Sequence, residues 1–129
     1  MGALVKGDPA LKDAATLLLT GALVWTYNNI TFALLYWELD SGGPATRFFE
    51  PRPYPDFAFP QHLNPEIAPP NWRPTLIDYL YLGLTNSVAF SPTDAMPLSH
   101  WAKVTMAAQS LISITILSLV IANAVNVLG

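Results

Sequence analysis

The six basic and nine acidic side chains of this 129-residue chain avoid two long stretches altogether: none falls in residues 14–37 and none in 104–129. A helix needs roughly 20 mostly apolar residues to cross about 30 Å of hydrocarbon, and both stretches exceed that. Composition agrees, since 52% of the residues are hydrophobic and only 12% charged, outside the range of ordinary soluble domains. The pattern predicts an all-α membrane protein of one domain, with a first transmembrane helix over 14–37 and a second over 101–128. Lys6 and Lys12 precede the first stretch as they would a secretory signal. The stretch is longer than a signal core and no small-residue cleavage site follows, so a retained helix is expected.

Between the spans lies a segment with its own chemistry, residues 38–74. Nine of the twelve prolines lie in residues 44–74, in strings such as "RPYPDFAFP" and "APPNWRP". Proline lacks a backbone donor and disfavours helix in the residue before it, which predicts an extended, irregular outer loop outside the bilayer core. Its aromatics, Phe48, Phe49, Tyr54, Phe57, Phe59 and Trp72, would seat it against the interface or a neighbouring subunit. A floppy linker is the competing reading, although disordered linkers are usually poor in aromatics.

At Pro74 the pattern changes to "PTLIDYLYLGLTNSVAF". Thr75 followed three residues later by Asp78 is a helix-start capping arrangement, and a nearly continuous apolar run follows. Residues 75–89 would make about 21 Å of helix, too short to cross a bilayer. A surface helix has a strongly polar face, yet Leu76, Ile77, Tyr79, Leu80, Tyr81, Leu82 and Leu84 cover almost every angle. A re-entrant helix that enters the membrane and turns back fits better.

An outer helix, outer loop, half-length helix, irregular loop and inner helix in this order resemble the two-helix pore module of potassium channels. "DYLYLGLTNSVAFSPTDAMP" is similar to that family's pore region, approximately D-x-L-Y-F-S-x-x-T-x-T-T-V-G-Y-G-D-x-x-P in bacterial members. Without gaps, Asp78, Leu80 and Tyr81 match the start of the pore helix, and Asp94 and Pro97 match the Asp and Pro beyond the filter. The resemblance implies a filter-like loop over 90–97 and a homotetramer. It also favours a multi-pass protein of a bacterial plasma membrane with both termini cytoplasmic, because Lys6 and Lys12 on one side and Arg47, Arg52 and Lys103 on the other do not decide orientation by themselves.

Where the family has V-G-Y-G-D, this chain has Phe90, Ser91, Pro92, Thr93 and Asp94. A potassium filter aims successive backbone carbonyls at the ion through glycine conformations that side-chain-bearing residues avoid. Thr93 is β-branched, Pro92 fixes its own φ and restricts Ser91, and Val88 and Ala89 replace the threonines of the lowest site. Family-type potassium selectivity is therefore not expected. Two readings of the loop stay open. Ser-Pro-Thr-Asp makes a good turn, and four copies of Asp94 would make a carboxylate ring that favours cations.

On the second span Gln109, Ser113, Ile116, Val120 and Asn123 share one helical face, suited either to line a pore with a hydrophobic middle or to bond neighbouring helices. Ser118 and Ala122 are candidate packing contacts. On the first span Thr16, Thr20, Tyr27 and Thr31 share a face that reads as a helix interface, with Asn28 rather than Asn29 turned toward protein. The absence of cysteine excludes disulfides and thiolate metal sites, and His62 and His100 lack a ligand pattern, so no metal or other cofactor is expected. His100, Trp101 and Lys103 read as an interfacial anchor.

The net charge of −3 gives no support for nucleic-acid binding. With no phosphate loop or nucleophile motif, Asp78 and Asp94 stand alone as an acid/base pair, and an enzyme is not expected. Two functions remain. One is a potassium-channel-like pore with an altered filter, passing cations weakly selectively. The other is a non-conducting accessory or structural subunit of a larger membrane assembly. Lipids and further copies of the chain are the expected partners.

Overall fold

The computed structural model describes residues 8–89 and 94–129. Helices α1 (Asp8–Leu39), α2 (Pro44–Phe49), α3 (Pro60–Leu63), α4 (Leu76–Ala89) and α5 (His100–Leu128) dominate it, with two-residue strands β1 (Phe57–Ala58) and β2 (Met96–Pro97). Helix α1 has 32 residues and α5 has 29, so at 1.5 Å each they are about 48 and 44 Å long. Both are long and apolar enough to cross a membrane. Helix α4, with 14 residues, reaches only about 21 Å.

The chain forms two compact units. In the first, residues 8–28 accompany Leu111–Gly129. Gly21 lies so close to Val120 that a methyl group on its Cα would stand 2.4 Å from both valine γ-carbons. Ala14 and Ala124 are also buried, as expected where small residues let helices approach. Ser118 and Ala122, the packing pair expected from sequence, are exposed. Small-residue spacing marks where contact is affordable on a helix, but not which flank meets a partner.

The second unit is Asn29–Ser110. Helix α1 ends where Ser41, Gly42 and Gly43 take φ values of 53°, 85° and 102° in succession. That path suits glycine, and at Ser41 it is held by a backbone N–H donated to Asp56 Oδ2 at 2.8 Å. The following segment is irregular over residues 50–56 and 68–75, as its prolines suggest, but short helices interrupt it. Pro44, Pro60 and Pro65 open α2, α3 and a turn of 3-10 helix, where their preset φ helps and the missing N–H costs nothing. Helix α3 is started by His62, whose Nδ1 accepts the Phe59 N–H at 3.0 Å. Strand β1 pairs antiparallel with β2, setting Phe57 opposite Pro97 and Ala58 opposite Met96. At the start of α4, Asp78 Oδ2 accepts the Thr75 N–H at 2.7 Å, and the Asp78 N–H is donated to the Thr75 carbonyl at 3.0 Å.

Aromatic side chains from every part of this unit form its core. Tyr36 of α1, Phe57 and Phe59 of the proline-rich segment, and Tyr79 and Leu82 of α4 are fully buried. Phe57 meets Tyr36 at 5.2 Å and Trp101 at 5.7 Å between ring centroids, both edge to face, while Phe59 meets Tyr79 at 5.4 Å. Such pairs add about 0.5–1.5 kcal/mol each beyond the area they bury. Phe57 and Phe59 thus seat the segment on its own chain, whereas Phe48, Phe49 and Tyr54 remain exposed.

Candidate functional site

Of the filter-like loop, Phe90, Ser91, Pro92 and Thr93 lie outside the described residues. Asp94 is half-buried. Burial, and then the negative charge of Asp78, hold its carboxyl above the usual carboxylate range. A raised folded-state pKa means that the folded chain binds a proton more readily than the unfolded one. The resulting stabilisation is complete below the ordinary value of 3.8 and is lost as pH rises through the raised one. Melting curves at a series of pH values should therefore show Asp94→Asn equal to the parent in acid and more stable than it near neutrality. Parallel curves would sink this account of Asp94.

The polar stripe of the second span is divided. Gln109 and Ser113 are completely buried in the single chain, Ile116 and Val120 are half-buried, and Asn123 is exposed. Gln109 belongs to the second unit, where it is the hub of a network that sequence spacing did not indicate. Its Oε1 accepts the Tyr36 hydroxyl at 2.6 Å and Asn86 Nδ2 at 2.9 Å. Its Nε2 is shared among the Gly83 carbonyl at 2.9 Å, Ser87 Oγ at 3.0 Å and Asn29 Oδ1 at 3.1 Å. Ser87 also donates to Asn29 Oδ1, and Asn86 Nδ2 also reaches the Met106 carbonyl at 2.9 Å. A methyl group on Gly83 would stand 3.4 Å from both Gln109 Nε2 and the Asn29 carbonyl, ordinary van der Waals contact, so the network lies directly against the α4 backbone.

Helical geometry explains which residues meet. Asn29 and Tyr36 are seven apart on α1 and so share a face, and Gly83, Asn86 and Ser87 share one on α4. On the first span Asn29, 7% exposed and bonded through Oδ1, is the more buried asparagine, Asn28 is half-buried with its Nδ2 also covered, and Thr16, Thr20, Tyr27 and Thr31 lie on the exposed side. The buried line instead runs through Ala14, Gly21, Asn29, Ala33 and Tyr36. The signal available in the sequence was Asn29 two turns before Tyr36, but in a lipid-length helix a polar face gives no sign of whether it turns inward or outward.

A second cluster closes the end of α1. Asp40 is fully buried. Its Oδ1 accepts the backbone N–H groups of Asp56 at 3.0 Å and Phe57 at 3.2 Å and the Ser41 hydroxyl at 3.1 Å, and its Oδ2 accepts the Tyr79 hydroxyl at 2.5 Å. Arg47, only 6% exposed, donates Nη1 to the carbonyls of Trp37 at 2.8 Å and Asp40 at 2.6 Å, and its guanidinium lies 4.9 Å from the centre of the Tyr79 ring. Burial, followed by the nearby Asp40 charge, pushes the Tyr79 phenol upward. It therefore remains a hydrogen-bond donor.

The hub consists of carboxamides, hydroxyls and a phenol, groups that orient and hold rather than exchange protons near neutral pH. Among the described residues no cluster of His, Asp and Glu is arranged to hold a metal ion. Comparison with protein-family models, with curated proteins and with solved structures finds no match to this chain, which leaves its own geometry as the guide to its function.

Proposed function

We propose that the chain is an integral membrane protein in which α4 is a re-entrant helix fixed to both spans, and that it serves as a non-conducting structural subunit of a larger membrane assembly. One observation carries this reading. Gln109, on the face that a channel would turn to its axis, is consumed by bonds within its own chain. Membrane insertion is supported by the low burial of the 18-residue apolar window in each long helix, 17% within Pro9–Gly42 and 11% within His100–Leu128, since the core helix of a soluble domain would be mostly covered. Exposed Ile77, Tyr81, Leu84 and Val88 on α4 give it an apolar outer surface of the kind a bilayer or an apposed subunit accepts.

The second reading is a homotetrameric, weakly selective cation pore with both termini cytoplasmic. It is favoured by the half-length of α4 and by the acidic Asp94 beyond it. The cysteine-free sequence allows the two to be separated cleanly. Ser113 is fully buried and its hydroxyl has no hydrogen-bond partner, so Ser113→Cys removes no bond. In the structural-subunit reading that cysteine resists a membrane-impermeant thiol reagent, and liposomes containing the parent leak potassium and sodium no faster than empty ones. Rapid labelling, together with cation flux that falls in Asp94→Asn, would overturn it in favour of the pore.

A further inference from the structure

Three arginines occur in the entire sequence, and Arg47, Arg52 and Arg73 all line one recess of about 240 Å³ in the Asn29–Ser110 unit. We infer that this recess is a binding site for a phosphate-class oxyanion, supplied either by the headgroup of an anionic lipid or by a soluble phosphate. Among the described residues the only acid that lines it is Asp40, and that carboxylate already faces four donors. The excess of positive charge in the recess is therefore not internally satisfied. A guanidinium presents planar, forked donors that match phosphate oxygens, and it sheds water more readily than an ammonium.

The three side chains are held differently, and the difference gives the site its form. Arg47 is anchored by Nη1 to the carbonyl end of α1, which offsets the partial negative charge expected at a helix C-terminus. Arg73 donates Nη1 to the Phe48 carbonyl at 3.1 Å and stacks 4.2 Å from the centre of that ring. Arg52 is exposed, and its guanidinium lies across the end of α1 in space left by Gly42, where a methyl group would stand 2.8 Å from Nη2. Two fixed guanidiniums and one accessible one make a clamp.

His62 also lines the recess. The Phe59 N–H on Nδ1 leaves the proton of the neutral ring on Nε2, adding a donor. The recess is smaller than the roughly 300–1,000 Å³ of pockets for drug-sized ligands, which suits a single phosphate group. Asp40 and Ser41, which directly follow α1, form part of its wall. If α1 spans the bilayer, the clamp therefore lies at headgroup depth.

The test uses the full chain and has two arms. In detergent, the melting temperature is followed as inorganic phosphate replaces chloride at constant ionic strength. In phosphatidylcholine nanodiscs, it is followed as phosphatidylglycerol is added. Saturable stabilisation is expected in at least one arm, with Arg52→Gln weakening the midpoint roughly ten- to a hundredfold, the range for loss of a charge-assisted contact. A response to free phosphate identifies a soluble oxyanion as sufficient, and a response confined to phosphatidylglycerol identifies the lipid headgroup. Arg52 and Arg73 are both exposed, so Arg52→Gln and Arg73→Gln can be compared in folded protein. No saturable response in either arm, or a response unchanged by both variants, would overturn the inference. The outcome is independent of whether the protein conducts.

Discussion

Asp40→Ala is expected to unfold the outer part of the Asn29–Ser110 unit at temperatures where the parent is intact. The substitution removes the acceptor for two backbone N–H groups, the Ser41 hydroxyl and the Tyr79 hydroxyl, and it leaves the buried Arg47 without its neighbouring negative charge. Each buried donor left without its acceptor costs about 1–3 kcal/mol, so losing several together removes a large fraction of the total stability of a typical domain. Asp40→Asn separates charge from geometry. An amide keeps one acceptor oxygen for the backbone N–H groups and can donate to the Tyr79 oxygen, so its cost should be the smaller of the two. Tyr79→Phe deletes only the bond on Oδ2 and should cost about 1.5–3 kcal/mol. Thermal denaturation in detergent, with limited proteolysis at the proline-rich segment as the local readout, orders the three. If Asp40→Ala melts with the parent, the cluster does not hold the outer segment.

The second large effect is expected at Gln109. Gln109→Leu is close in volume but strands the Tyr36 hydroxyl and removes one bond each from Asn86, Asn29 Oδ1 and Ser87 Oγ, the last two keeping their bond to each other. Each buried group left without a partner costs about 1–3 kcal/mol, although Asn86 retains the Met106 carbonyl. Gln109→Glu tests the donor side alone: it keeps Oε1 for Tyr36 and Asn86 but sets a second oxygen against the Gly83 carbonyl and Asn29 Oδ1. Its melting temperature should fall at neutral pH and recover in acid, where the protonated carboxyl again supplies a donor. Gln109→Leu should show no such recovery. Equal pH profiles for the two variants would mean that the amide protons do not hold α4 in place.

The parts of the fold that could be read from sequence are those written in consecutive residues. Charge-free stretches locate the two long helices, and Thr75 with Asp78 marks the start of α4, because a span and a cap are local matters of length and hydrogen bonding. The proline-rich segment was legible only in part. Its prolines correctly exclude a long helix, but its shape depends on Phe57 facing Pro97 and Asp40 reaching Tyr79, contacts that no periodicity encodes. The candidate site suffered from a different ambiguity. Helical spacing groups Gln109 with Ser113, and Thr20 with Tyr27, yet it cannot say which face turns inward when lipid and protein interior are similarly apolar. Asn28 and Asn29 differ by 100° of rotation, and a single residue's error moves a side chain from the network to its margin.

The hub also imposes an order on biogenesis. Tyr36 and Gln109 are 73 positions apart, and Asn29 and Gln109 are 80 apart. During synthesis at about 5–20 residues per second, α1 must wait on the order of 4–16 s for the helix that supplies the acceptor of the Tyr36 hydroxyl and one of the two donors to Asn29 Oδ1. Throughout that interval these polar groups need water, the insertion machinery or another protein as a temporary partner. If α1 spans a bilayer, a truncation that ends before α5 should therefore leave it held by quality-control factors instead of being released into lipid.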